Sequence, residues 1–292
     1  MQQISIFGEV LFDCFPSGEK VLGGAPFNVA WHLQAFGQGP SFISRVGSDD
    51  EGERIRRAMQ GWGMRTDLLQ TDREHPTGEV RVTLQGGEPS YDIVEPVAYD
   101  FIEAAALDDL PCKLLYHGSL CLRNEQSGKA LDRLRASAPG TVFMDVNLRS
   151  PWWHRDKVLE WVGQADWVKL NEAEFALLHE AASDLSVSAQ GFLHQYGLQG
   201  VVVTRGERGA MVITADEPPL TVAPVKALRV VDTVGAGDAF ATVLLLGLNL
   251  DWPLRETLER AQAFASALVG QRGATVGDAA FYRPFIEDWG LA

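Results

Sequence analysis

A chain of 292 residues, 46% hydrophobic and 22% charged, has interior enough for one large α/β domain or two small ones, and no shift of composition marks a linker. Its 39 acidic side chains against 25 basic ones leave a net charge of −14, which disfavours nucleic acid or an anionic membrane surface as partner and leaves a small molecule as the expected one. The sequence shows three cysteines without paired spacing (Cys14, Cys112, Cys121), six histidines without an H-E-x-x-H pair, and no signal-peptide pattern at its start; its longest apolar run, 239–248, is half the ~20 residues of a bilayer span, so a cytoplasmic setting is expected.

Apolar, β-branched runs at 4–7, 113–116, 141–144, 167–170 and 201–204 read as strands. Amphipathic stretches at 26–36, 51–61, 126–136, 172–181, 187–196 and 254–269 read as helices between them. This alternation predicts a single α/β domain with a mostly parallel sheet, in which ligands collect beyond the carboxyl ends of the strands. Asp145, Asn171, Thr204 and Asp238 all follow strand runs or approach a helix start, so one edge can gather them. Two regions break the alternation, 10–22 and 77–98. In the second, Val80, Val82 and Leu84 alternate with Glu79, Arg81 and Thr83, the period of a two-faced strand, and the two regions together suggest a small additional sheet.

The run Asp232-Thr233-Val234-Gly235-Ala236-Gly237-Asp238-Ala239-Phe240 carries the most chemistry. Beyond it Phe240, Val243, Leu244, Gly247 and Leu248 have the spacing of a helix with one buried face, which places the glycines at a helix N-terminus. Unpaired amides and the positive end of the dipole converge there and suit a developing phosphate charge. Asp238 beside such an anion hole reads as the acceptor of a hydroxyl proton, or as a helix-entrance carboxylate that complements the dipole. A short glycine motif alone does not choose between the two.

The wider sequence does choose. D-T-V-G-A-G-D-A-F resembles the C-terminal signature of the ribokinase-like, phosphofructokinase-B type sugar kinases, and Gly23-Gly24-Ala25-Pro26-Phe27-Asn28-Val29-Ala30 resembles their N-terminal sugar-binding signature. Asp145-Val146-Asn147-Leu148-Arg149 with Trp152, Asn171-Glu172-Ala173-Glu174, and Thr204-Arg205-Gly206-Glu207-Arg208-Gly209 follow in the family's order, so the resemblance runs from residue 8 to about 274.

The resemblance implies a three-layer α/β/α ribokinase-like fold with a small β lid over the sugar, and transfer of the ATP γ-phosphoryl group to a sugar hydroxyl. It implies Asp238 as general base, with Gly235, Ala236 and Gly237 as the backbone anion hole. Asp13, Gly23, Gly24 and Asn28 would hold the sugar; Asn171, Thr204, Gly206, Gly209 and Gln262 would border ATP. Glu174 would act on Mg2+ through water, and a monovalent cation such as K+ would use Asp232, the Val234 carbonyl and backbone near Leu268, Gln271 and Gly273. Arg149 would meet phosphate or a lid group, or form a surface ion pair. The tryptophans Trp152, Trp153, Trp161 and Trp167 read as packing. A homodimer is compatible with this picture.

Within the family, G-E-V-L-F-D, G-G-A-P-F-N-V-A, P-T-G and D-x-N-L-R resemble bacterial fructokinases, which makes fructose the first expected acceptor. The stretch from Tyr91 to Asp100 departs from the aromatic and Arg-containing segment those enzymes carry, and only Arg81 and Arg123 lie near in sequence as cations for a phosphosugar. Ribose, nucleoside, sugar-phosphate and 2-keto-3-deoxygluconate kinases rank below, and a non-catalytic sugar or nucleotide sensor is the alternative of a different class.

Overall fold

The computed structural model describes residues 4–85, 88–107, 110–137, 140–180, 184–224 and 230–291. Its strands are β1 (Ile4–Phe7), β2 (Leu11–Cys14), β3 (Lys20–Gly23), β4 (Ser41–Gly47), β5 (Leu69–Asp72), β6 (Gly78–Gln85), β7 (Glu88–Ile93), β8 (Leu114–His117), β9 (Thr141–Asp145), β10 (Trp167–Asn171), β11 (Gly200–Thr204), β12 (Ala210–Thr214) and β13 (Leu220–Val222). The helices are α1 (Ala25–Ala35), α2 (Asp50–Gly61), α3 (Glu125–Ser137), α4 (Arg155–Val162), α5 (Glu172–Leu178), α6 (Leu185–Tyr196), α7 (Ala236–Asn249), α8 (Leu254–Leu268) and α9 (Ala279–Trp289).

Nine strands form one sheet in the order β13-β12-β11-β10-β9-β8-β1-β4-β5, parallel except where β12 and β13 turn back at one edge. Period-two alternation sends successive side chains into two separate cores. Ile4, Ile6, Leu114, Tyr116, Phe143, Trp167 and Val202 pack on the face covered by α1, α2, α7, α8 and α9. Phe7, Leu115, Val142, Met144, Val168, Leu170, Val201 and Val203 pack on the face covered by α3, α4, α5 and α6. This is the expected three-layer α/β/α arrangement.

The two irregular regions form a second sheet, β3-β2-β6-β7. β2 pairs β3 antiparallel and β6 parallel, and β6 pairs β7 antiparallel. Val80 and Val82 are buried while Arg81 and Thr83 are exposed, as the alternation predicts.

Several elements differ from the sequence reading. The strands β4, β5, β12 and β13 and the helices α4 and α9 were not expected. Helix α5 ends at Leu178 rather than 181, a position outside the described residues. Helix α7 is buried from Ala239 to Gly247 rather than along one stripe, because it packs between α1 and α8 against the sheet. Among the described residues no helix is long and apolar enough to cross a membrane.

Candidate active site

The loops beyond the carboxyl ends of β1, β8 and β9, the N-terminus of α1, the small sheet and the glycine turn before α7 enclose a cavity of about 510 Å³. Its polar lining is Glu9, Asp13, Asn28, Asn147, Arg149 and Asp238, and the small sheet contributes Leu11, Val80, Tyr91 and Ile93. Gly235, Gly237 and Thr233 complete the wall. Thr233 also lines a second cavity of about 710 Å³, with Ala236, Gly206, Glu207, Pro224, Val230, Gln262, Ala265, Ser266 and Val269. The Thr233–Gly237 stretch is therefore a shared wall with a cavity on each side.

Two glycines make this geometry accessible. Gly24 caps α1 at φ 109°, and a Cβ there would come within 2.7 Å of the Glu9 carbonyl, so only glycine lets α1 start this close to the chain leaving β1. Gly235 caps α7 at φ 79°, where a Cβ would lie 2.5 Å from the Ala274 Cα. The amides of Gly237 and Asp238 fall in the first turn of α7, where no preceding turn supplies carbonyl partners.

Asn28, in the second turn of α1, donates from Nδ2 to Asp238 Oδ2 at 2.8 Å. Its Oδ1 is buried without a hydrogen-bond partner among the described residues, and Asn28 lines the cavity, so this acceptor is free for a ligand there. Burial raises Asp238 to about 6; the Asn28 hydrogen bond opposes that shift, Asp145 adds to it, and Lys169 and Arg149 oppose it. Asp13 is likewise raised by burial to about 6 against the pull of Arg149. Glu9, 2% exposed and with Oε2 unpartnered among the described residues, is raised by burial to about 7. Three carboxylates thus share the cavity with the guanidinium of Arg149, and Arg123 adds a weaker pull on Glu9.

Strand parity explains a pair that was not singled out from sequence. Asp145 and Lys169 lie two residues beyond Phe143 and Trp167, so both point toward α1 and α7 and stand opposite each other in register. Lys169 Nζ donates to Asp145 Oδ1 at 2.9 Å and Oδ2 at 2.8 Å, and the Tyr116 hydroxyl lies 3.4 Å from Oδ2. Burial works against the Lys169 charge, but the Asp145 carboxylate outweighs it and raises the ammonium's pKa. A Cβ on Gly237 would sit 3.6 Å from Lys169 Nζ, so this cation backs the glycine turn. A charged residue inside the run 167–170, buried throughout, is the signal in the sequence.

The remaining expected residues divide clearly. Gly24 lines the first cavity and Gly23 does not; Gly206 and Gln262 line the second, and Asn171, Thr204 and Gly209 do not. Asn171 caps α5 by accepting the Glu174 amide at 2.9 Å, and a Cβ on Gly209 would collide with the Val222 carbonyl. Glu174, expected beside magnesium, accepts the backbone N–H groups of Leu148 and Asn171, each at 2.8 Å, and so fixes the ends of two loops. Asp232 accepts Val234 N–H at 3.0 Å and Gly273 N–H at 3.1 Å. Arg149 lines the cavity, whereas Arg81 pairs with Glu79 on the small sheet and Arg123 is held by Asp100. Asn147, at φ 40°, turns the chain after β9 so that its own side chain and that of Arg149 line the cavity.

The pfkB family carbohydrate kinase model matches residues 8–279. The chain belongs to that family. It is 30% identical to a fructokinase of Escherichia coli over 93% of this chain and 94% of the relative. A fructokinase double mutant from Vibrio cholerae O395, solved with fructose, ADP and a potassium ion, superposes with a TM-score of 0.82 at 28% identity, covering 97% of this chain and 98% of that one. Aminoimidazole riboside kinase from Salmonella enterica, complexed with aminoimidazole riboside and an ATP analogue, also gives 0.82, at 26% identity and 100% coverage of both chains. These likenesses support the ribokinase-like fold and the sugar-kinase family expected from the motifs.

Proposed function

We propose that this pfkB-family protein transfers the γ-phosphoryl group of ATP to a hydroxyl of a neutral sugar, with fructose the preferred acceptor. The observation that carries the reading is the Thr233–Gly237 wall between the two cavities, with Asp238 and the first-turn amides of α7 beside it. Sugar occupies the acidic cavity and the adenine nucleotide the other. Asp238 takes the hydroxyl proton as the nucleophile forms, and the amides of the glycine turn, backed by Lys169, hold the charge on the transferred group. Asn28 orients the Asp238 carboxylate, and Asp13 accepts sugar hydroxyls.

Charge supports a neutral acceptor. Glu9, Asp13 and Asp238 would face the phosphate of a phosphosugar or the carboxylate of a sugar acid, with Arg149 the one cation among the described residues that lines the cavity. A like-charge approach at 4 Å costs about 4 kcal/mol at an effective dielectric constant of 20, enough to suppress binding strongly.

Among the described residues no three His, Cys, Asp or Glu side chains form a group able to hold a metal. Magnesium in this reading is carried by nucleotide phosphates and water, with Glu174, at the start of α5, acting on it through water. A monovalent cation would use Asp232 and the carbonyls of its turn, the sort of ion named with the Vibrio cholerae enzyme.

The test is steady-state kinetics with ATP and Mg2+ on fructose, ribose, 2-keto-3-deoxygluconate, aminoimidazole riboside and fructose 6-phosphate. Fructose should give the highest kcat/KM. A higher value for any other acceptor would overturn the choice of substrate and leave the kinase standing; absence of turnover throughout would favour a sensor.

Asp13→Ala and Asn28→Ala should each raise the sugar KM far more than the ATP KM, by about 1–3 kcal/mol of lost hydroxyl contacts. Equal effects on the two substrates would assign both side chains to structure alone.

A further inference from the structure

A buried network joins the helix that carries Asn28 to the turn that opens α7. His32 lies one turn beyond Asn28 on α1 and is fully buried. Its Nε2 is 3.0 Å from the Ala274 carbonyl oxygen and its Nδ1 is 2.9 Å from the Tyr282 hydroxyl. The Tyr282 hydroxyl lies 3.1 Å from the Val276 carbonyl, which also accepts Trp31 Nε1–H at 3.0 Å.

Hydrogen counting assigns the tautomer. Burial lowers the His32 pKa to about 4 against the opposing pull of the Ala274 carbonyl, so at neutral pH the ring carries one N–H. A carbonyl cannot donate, so Nε2 bears the hydrogen and gives it to Ala274. Nδ1 then accepts from Tyr282, and Trp31 serves Val276.

Ala274 is the residue against which Gly235 packs, at a separation no side chain on Gly235 could share. Asp232 clamps the same two stretches by accepting Val234 N–H and Gly273 N–H. The 273–276 segment is thus a spacer between α1 and the glycine turn, and the imidazole sets its depth.

We propose that His32 is a positioning residue for phosphoryl transfer: through Nε2–H and Ala274 it fixes the Gly235–Gly237 turn relative to the helix that presents Asn28. The kinetic consequence rests on the kinase reading above; the structural coupling does not. Misplacing a reacting geometry by about 1 Å costs ~10²-fold in rate, whereas Asp13 on β2, which lines the first cavity, and Gln262 on α8, which lines the second, lie outside the displaced turn, so both affinities should change little.

Two polar substitutions separate the contacts. The amide of His32→Gln reaches the Nε2 position and can donate to Ala274, while the shorter His32→Asn reaches only the Nδ1 position and Tyr282. His32→Asn should lower kcat by about 10- to 100-fold with both KM values within about 3-fold of wild type, and His32→Gln should retain kcat within about 3-fold. Hydrogen exchange followed by mass spectrometry gives a readout independent of any sugar: peptides covering 231–236 and 272–277 should exchange faster in His32→Asn and at the wild-type rate in His32→Gln. If His32→Asn does not fold, His32→Met, which fills the space without a donor, takes its place. Equal behaviour of the donor-bearing and donor-lacking variants in the exchange readout, or loss expressed in KM with kcat kept, would overturn the proposal. A wild-type protein inactive on every sugar would instead sink the kinase reading, and the exchange comparison would still decide the role of His32.

Discussion

Replacing Asp238 with asparagine is expected to lower kcat by ~10²–10⁴-fold, the usual contribution of a general base, while sugar and ATP binding are largely retained. The amide oxygen can still accept from Asn28 Nδ2, so the variant removes basicity and keeps the side chain's anchoring contact. The pH dependence sharpens the expectation. Burial raises Asp238 to about 6, so below that pH the wild-type carboxylate is protonated and kcat/KM should fall at least about tenfold per pH unit; the acid limb should become shallower in the residual activity of the variant, where Asp13 and Glu9 still titrate. Stability moves the other way. A carboxylate whose folded pKa is raised contributes stability that is fully present below its unfolded pKa and is lost as pH rises through about 6. The variant should therefore match or exceed the wild-type melting temperature at pH 8. Near wild-type kcat would remove Asp238 from the chemistry, and a lower melting temperature at pH 8 would show that its environment stabilises the anion.

The parts of the fold that follow a local rule were legible in the sequence. Strands β1 and β8–β11 are continuous apolar runs because both faces of a central parallel strand are buried, and β6 alternates because only one of its faces is. The antiparallel strands β12 and β13 escaped notice because the sheet edge is defined by its neighbour, β11, rather than by a period of its own. Helix α7 misled in the opposite direction: an apolar run reads as one buried stripe until the packing of α1 and α8 around it shows that nearly every side is covered.

The site divides the same way. Asn28, Asp13 and Asp238 stand in contiguous motifs whose glycines announce close backbone approach, and they converge on one cavity. Glu9 stood within G-E-V-L-F-D, but nothing in the string distinguished it from a strand-end glutamate; its orphaned oxygen appears only once the cavity is formed. In Asn171-Glu172-Ala173-Glu174 the polar residues at the first and fourth positions serve the start of α5, a local hydrogen-bonding use that the same spacing encodes alongside a nucleotide-side role. His32 carried no signal, because its partners Ala274 and Tyr282 are more than two hundred residues away.

Lys169→Met should lower stability severely. The pair with Asp145 is buried on both sides, at 7% and 3% side-chain exposure, and removing the ammonium leaves a carboxylate held in place by strand register with the Tyr116 hydroxyl, at 3.4 Å, as its remaining side-chain hydrogen-bond partner among the described residues. Breaking a buried pair from one side costs about 3–5 kcal/mol. At roughly 2–4 °C per kcal/mol for a chain of this size class, the melting temperature should fall by about 6–20 °C. Replacing Asp145 by leucine in the same protein removes the stranded charge, so the double variant should recover most of that loss, since an apolar pair can match a buried ionic one. Turnover should not recover with it. Lys169 backs the glycine turn beside Gly237, and losing one donor or cation aimed at developing charge costs ~10²–10³-fold, whatever happens to the fold. Melting curves and kcat measured on the single and double variants therefore separate two roles of one lysine. If the double variant regained kcat along with its melting temperature, Lys169 would serve only to neutralise Asp145, and the anion hole would rest on the backbone amides of α7 alone.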